Sequence, residues 1–274
     1  MLFALVSPHF NAPALGNHEI EEDILGENPG RFVAFQTRFR FPSVASGAIG
    51  AGNLYYSFNV GAAHVIMLCS YCPFKSGTPQ YEWLVGDLKS VDRTLTPWVI
   101  AVLHAPWYNS NRAHHNEGEE VQMRAAMERL FYSSKVDLVL AGHVHAYERS
   151  FPVFDGHVLP EAPVYITIGD GGNREGLASN YVEPSPVWSA YRLAVYGHGI
   201  IDIKNATHLQ WEWKRNDAAV CAYFVACPSN TRKLQPQRLT PTFAFQESAT
   251  ADSFYIVRHD ASLKALNSIF SAGQ

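Results

Sequence analysis

Apolar residues recur along the chain with two periods. Residues 53–60 and 63–69 are β-rich runs separated by Gly61-Ala62, the pattern of a hairpin. Residues 98–103, 137–141 and 163–168 are short and almost continuously apolar, as strands buried on both faces are. Between them, Tyr81, Leu84, Val85 and Leu88, and then Met123, Ala126, Met127, Leu130 and Phe131, recur at helical spacing and predict two core-facing helices. The first opens at Thr78-Pro79, a cap residue before proline at the first helical position; the second runs from about Glu119 to Ser133. Residues 21–52 and 109–120 are polar and read as loops, the first anchored by the apolar stretch 39–42. From Gly199 the pattern becomes alternation, and residues 207–213 read as an antiparallel strand with one wet face. Strand-helix-strand order followed by paired strands predicts an α/β fold, a β-sandwich flanked by helices with a small C-terminal antiparallel closing sheet.

Three of the apolar runs end in metal-binding chemistry. Residues 12–15 lead into Gly16-Asn17-His18-Glu19, residues 98–103 into His104, and residues 137–141 into Gly142-His143-Val144-His145. Open α/β sheets gather their ligands at such strand ends. His143 and His145 face the same side if the backbone between them is extended, and two neutral nitrogen donors suit a divalent or trivalent metal. Each feature alone has a plainer reading: a His-x-His pair also closes strands, and an Asn after Gly also makes turns. Their occurrence together is what points to a metal centre.

The order Gly-Asn-His-Glu, a histidine ending an apolar run, then Gly-His-x-His resembles the metallophosphoesterases, and in detail the purple acid phosphatases. Segments 76–83, 196–208 and 251–254 resemble that family in the same order, so the resemblance covers nearly the whole chain. It implies a dinuclear centre in which Fe(III) is paired with Zn, Mn or Fe(II), the two ions about 3.5–4 Å apart and delivering hydroxide to a phosphate monoester. Asn17, His104 and His143 would hold the divalent ion and His145 the ferric ion. The implied catalytic residues are His18, which would contact the phosphate or protonate the leaving oxygen with Glu19 orienting it, and His114 and His115 on the loop over the substrate. Residues 147–149 would brace the turn after the metal pair, and His198 and His208 would be structural. Gly169-Asp170-Gly171-Gly172 matches an earlier family motif as text but stands in a later segment, so Asp170 is not expected to ligate.

By the same resemblance, residues 1–158 are a metallophosphoesterase domain and residues 159–260 a purple acid phosphatase C-terminal region. Residues 3–8 resemble an internal family segment, so the chain reads as starting late. The earlier Gly-Asp-x-Gly and Gly-Asp-x-x-Tyr motifs, source of the bridging carboxylate and the tyrosinate, do not occur upstream of Gly16. Residues 221–250, rich in Pro, Thr, Ser and Gln, have no family counterpart; they read as a disordered insertion or an in-frame retained intron. Two other functions stay open: a related phosphodiesterase or nucleotide pyrophosphatase, and an inactive fragment binding at most one metal.

Composition narrows the picture further. With 274 residues, 47% of them hydrophobic, the chain can bury a large core. A formal charge of −4 gives no electrostatic case for nucleic acid or an anionic membrane. Protonating all 12 histidines would carry it to +8, which fits an acidic workplace. No run approaches the ~20 apolar residues of a membrane span, and residues 1–6 lack the basic start of a signal peptide. Cys69-Ser70-Tyr71-Cys72 reads as a buried or loop thiol pair. The expected partner is a small phosphate ester, with room for a homodimer. Asn205-Ala206-Thr207 is a glycosylation sequon if the full-length form is secreted or delivered to a vacuole or lysosome.

Overall fold

The computed structural model describes residues 2–7, 10–20, 31–216 and 249–258. Strands β1 (Leu2–Ser7) and β2 (Phe10–Ala14) form an antiparallel pair. A short helix, α1 (Val33–Arg38), lies within the segment expected to be loop; Phe32 at its N-cap and Phe35 within it are buried and pack with Leu15. The predicted hairpin forms as β3 (Tyr56–Val60) and β4 (Ala63–Met67), turning through Gly61 at positive φ. Then come α2 (Pro79–Ser90), β5 (Trp98–Val102), α3 (Gly118–Ser133), β6 (Leu138–Ala141), β7 (Tyr147–Ser150), the small hairpin β8 (Val153–Phe154) and β9 (His157–Val158), β10 (Val164–Ile168) and β11 (Ser189–Leu193).

Seven of these strands make one sheet in the order β11-β7-β10-β6-β5-β4-β3, whose centre, β10-β6-β5-β4, is parallel. Period two decides which face each side chain covers. Val65, Met67, Trp98, Ile100, Val102, Leu138 and Leu140 point to one face. Their neighbours Ile66, Val99, Ala101, Val139 and Ala141 point to the other, where Leu84 and Leu88 of α2 and Met123, Met127 and Phe131 of α3 cover them. Thr78 is the N-cap of α2 as predicted, but its hydroxyl donates back to Lys75 and Pro73 carbonyls rather than into the helix.

The first face is closed by the expected small sheet, β12 (Gly197–Ile203), β13 (His208–Arg215) and β14 (Ala249–Val257), through Leu209, Trp211 and Trp213. Polar bonds fix the contact. The Tyr147 ring stacks on Trp213 at 4.2 Å, its hydroxyl accepts from Trp211 Nε1 and donates to Asp252, and Arg149 forks onto the same carboxylate. With Glu148 accepting from Ser110 and Ser189, residues 147–149 do brace the structure after the histidine pair. Of the expected insertion 221–250, all but Ala249 and Thr250 lies outside the described residues.

Candidate metal centre

His104 stands two residues beyond β5, where the ladder to β6 still continues: Leu103 N donates to Leu140 O and Gly142 N to His104 O. Ser70, after β4, turns its hydroxyl to accept from the backbone N–H groups of both His104 and Ala105. Adjacent parallel strands thus bring the ends of β4, β5 and β6 to one edge of the sheet. Cys69 and Cys72, expected as thiols, are instead joined in a disulfide, which the 5.4 Å Cα separation allows. The Gln80 amide bonds both backbone groups of Cys69, so the loop carrying Ser70 is held from two sides.

After β2, Asn17, His18 and Glu19 form a single 3-10 turn. Asn17 Oδ1 lies 3.0 Å from His104 Nε2, and the His104 and His143 rings are 4.9 Å apart. Burial holds the His104 imidazole well below its ordinary pKa, and the nearby His143 adds to this; burial also lowers His143. Both shifts favour the neutral form, the one that ligates a metal. Glu19 bonds the Gly16 N–H rather than His18, contrary to its expected orienting role.

The pair His143 and His145 departs from the extended reading. His143 has φ 64°, a left-handed conformation that a non-glycine residue adopts at a cost of order 1–3 kcal/mol. Two successive i to i+2 backbone bonds, Val144 N to Gly142 O and Ala146 N to Val144 O, tighten the turn. Gly169 lets it approach β10, because a Cβ there would fall 2.0 Å from Val144 O. The twist sends the imidazoles to different carboxylates: His143 Nε2 lies 2.9 Å from Glu117, and His145 Nε2 lies 3.8 Å from Glu175.

Glu117 and Glu175 are the two site residues that sequence patterning did not single out. Glu117 is the N-cap residue of α3 and reaches His143 with one oxygen and His114 Nδ1 with the other, at 2.8 Å. Burial works against its charge, but these two hydrogen bonds outweigh it and lower its pKa. Glu175 also lies 3.7 Å from exposed His18. The structure brings Asn17, His104, His143 and His114 together, with the His114 and His143 rings at 3.8 Å. His115 is not part of that group: it is exposed and its Nδ1 bonds Asn109 O. Asp170 is fully buried under the closing sheet, where it accepts from Trp213 Nε1, in keeping with a structural role.

The donors fit one divalent cation. A neutral amide oxygen and two neutral imidazoles converge, and Nδ1 of His104 is buried without a hydrogen-bond partner. The ligand atoms of His114, Glu117 and His143 lie within 4.8 Å of one another, which puts an anionic oxygen beside them. A ferric ion fits less well. It prefers anionic oxygen, and among the described residues no carboxylate lies within 4 Å of both His143 and His145.

Two family models match the chain: calcineurin-like phosphoesterase over residues 2–147, and iron/zinc purple acid phosphatase-like protein C over residues 162–221. Among similar curated proteins, probable purple acid phosphatase 20 of Arabidopsis thaliana is 55% identical over 203 residues, which cover 74% of this chain and 47% of that protein. Purple acid phosphatase 18 of the same plant is 52% identical, covering 74% and 45%. A phosphoenolpyruvate phosphatase of Allium cepa is 48% identical, covering 74% and 44%. The chain thus spans about half the length of the curated relatives it matches. In fold it is similar to a purple acid phosphatase from yellow lupin seeds, at 24% identity and a TM-score of 0.68, over 89% of this chain and 40% of that one. With the strand-end histidines in the family's order and both family models on the chain, this protein belongs to the calcineurin-like phosphoesterases and, among them, to the purple acid phosphatases.

Proposed function

We propose that this chain is the metal-binding part of an enzyme that hydrolyses small phosphate monoesters. The observation that carries the reading is the convergence of Asn17, His104 and His143 at three chain segments' ends, with His114 at its rim. Asn17, His104 and His143 would hold a divalent ion, Zn, Mn or Fe(II), and His145 would contribute to a ferric site in a dinuclear centre. When bound, the metals supply Lewis acidity and an ionised water at neutral or acidic pH.

The chain's own residues do the rest. His18, which is exposed and lies 3.7 Å from Glu175, would give a proton to the leaving oxygen. His114 takes hydrogen-bonding contact with the phosphate, steadied through Nδ1 by Glu117, while Glu117 orients the ligating His143. His115 shares that loop and would act only through a change of its Asn109 bond. The division into residues 1–158 and 159–260 follows family segments rather than sheet membership, since β10 and β11 lie in the large sheet. Asn205, exposed at a turn, is a glycosylation site in a secreted or vacuolar form. Among the described residues no helix is long and apolar enough to cross a membrane.

Turnover of p-nitrophenyl phosphate and of its bis-ester by the natural protein purified from its source tests the reading. The monoester should be hydrolysed at least ten times faster. A diester rate equal to or above the monoester rate would favour the phosphodiesterase reading instead.

A further inference from the structure

The proposed hydrolysis makes no use of the Cys69–Cys72 disulfide, yet the bond lies against the histidine cluster. It encloses two residues, Ser70 and Tyr71, and both meet His104. The Ser70 hydroxyl accepts from the His104 and Ala105 backbone N–H groups at 3.2 and 3.0 Å, and the Tyr71 ring lies 5.9 Å from the imidazole. Leu15, two residues before Asn17, packs in the same small apolar cluster as both cysteines. The bridge thus reaches the chain segments of two proposed ligands, Asn17 and His104.

Reduction would be a local event, because both ends of the enclosed segment are held without the bridge. Gln80 of α2 bonds the N–H and the carbonyl of Cys69 at 2.8 and 3.1 Å, and the Pro73 carbonyl accepts from Gln80 Nε2 and from the Thr78 hydroxyl. What opening would free is the stretch between these anchors, the residues that support His104. The two sulfurs also differ in access. Cys69 is fully buried, whereas Cys72 is 8% exposed and lines the groove between its loop and the start of α3. Exchange must therefore begin at Cys72. A thiolate of a dithiol reductant attacks Cys72 Sγ to form a mixed disulfide, and Cys69 Sγ leaves and takes up a proton. The reductant's second thiol gives up its proton and closes on the first, displacing Cys72 Sγ, which is protonated in turn. One protein disulfide and one dithiol become one protein dithiol and one reductant disulfide.

Resting on the metal-binding reading above, we propose that Cys69–Cys72 is an exchange site for dithiol reductants and that its state sets the affinity of the adjoining centre for a divalent cation. Linkage makes the effect reciprocal: if the disulfide form binds the cation more tightly, the cation makes the disulfide harder to reduce by the same factor. Mn(II) is the probe, because thiolates freed by reduction select softer metals. The chain carries Cys221→Ser and Cys227→Ser, so that one pair alone is titrated. Mn(II) binding, followed by the paramagnetic resonance signal of the free ion, should be about fivefold tighter in the oxidised form than in the reduced form, the low end of coupling between two sites. In mixtures of reduced and oxidised dithiothreitol, saturating Mn(II) should move the midpoint of the pair about 20 mV more negative, which is that factor for two electrons. Ser70→Ala should remove most of both effects. Equal affinities in the two forms, a midpoint that Mn(II) leaves in place, or a pair that dithiothreitol does not reduce without denaturant would overturn the proposal. Failure of the metal-binding reading looks different: neither form would bind Mn(II) while the pair still exchanged, which overturns the coupling as well.

Discussion

Gly16 packs directly against His104. A Cβ at residue 16 would lie 2.8 Å from the imidazole Cε1 and 3.0 Å from Nδ1, closer than a side chain can approach. The backbone at Gly16 is extended, with φ −108°, so any residue could adopt it, and the demand for glycine comes from contact alone. Gly16→Ala should displace the imidazole from Asn17 and weaken cation binding ten- to a hundredfold, the usual effect of disturbing a ligand's support. Titration with Co(II), followed by its visible absorption, reads this directly. Unchanged affinity would mean that His104 is not a ligand.

His114 and His143, whose rings lie 3.8 Å apart, have separate roles in the proposed enzyme. His143→Ala in the natural protein should abolish metal retention at one site. His114→Ala should leave metal content intact and lower kcat by about 10²-fold or more, as loss of a positioned acid-base or phosphate-binding group does. Metal analysis alongside kinetics separates the two; equal metal loss in both variants would contradict the division.

Much of this arrangement was legible in the chain. Asn17, His104 and His143 could be picked out because each follows a short apolar run; β5 and β6 end on one edge of the large sheet, and the separate β1–β2 pair brings Asn17 to His104. That the central strands are covered on both faces was likewise readable from their continuous apolar runs. What could not be read is tertiary. His143 takes positive φ in a turn for which Gly169 leaves room, and no local pattern announces it. Glu117 and Glu175 sit in polar loops, where a carboxylate that meets an imidazole looks like any solvated one. Cys69 and Cys72 were expected as thiols, and the loop that brings their Cα atoms to 5.4 Å joins them in a disulfide instead.

Reduction of that disulfide should be felt at the centre. The loop it closes carries Ser70, which holds the His104 and Ala105 backbone N–H groups, and Tyr71, which packs on the His104 ring. Cys69→Ser with Cys72→Ser should lower stability by about 2 kcal/mol, the entropy of so small a loop. It should also weaken Co(II) binding severalfold. Ser70→Ala offers the control: if the disulfide acts through Ser70, this single change should reproduce the loss of affinity with the disulfide intact.

Asp170 gives the fold a pH dependence that can be isolated. Burial under the closing sheet is the main cause that raises its pKa from 3.8 to about 6, opposed by the Trp213 hydrogen bond. Between those values the folded state holds a proton that the unfolded state has released, so stability falls as pH rises through that window. The contribution present below pH 4 and lost above pH 6 is roughly 3 kcal/mol. Chemical denaturation of the unaltered chain and of Asp170→Asn at pH 4 and pH 7 should show this difference only in the former. An identical pH response in both would assign the effect to other groups.

The 274-residue chain by itself should retain one divalent cation and hydrolyse p-nitrophenyl phosphate only feebly. Asn17, His104 and His143 are neutral donors, and the carboxylate that faces them, Glu117, is already shared between His143 and His114. A cation can recruit it, which gives one site with an anionic ligand. Among the described residues the carboxylate beside His145 is Glu175 at 3.8 Å, on a side chain nearly half exposed, and none of them offers a second, trivalent ion the bridging oxygen and the charge it needs. Without two ions at clamp distance, attack and departure are not stabilised together. Metal analysis after dialysis should give one equivalent of Zn or Mn and little iron, with Glu117→Gln losing that equivalent and His145→Ala keeping it. Two equivalents with ordinary turnover would show that other residues of the chain complete the dinuclear centre.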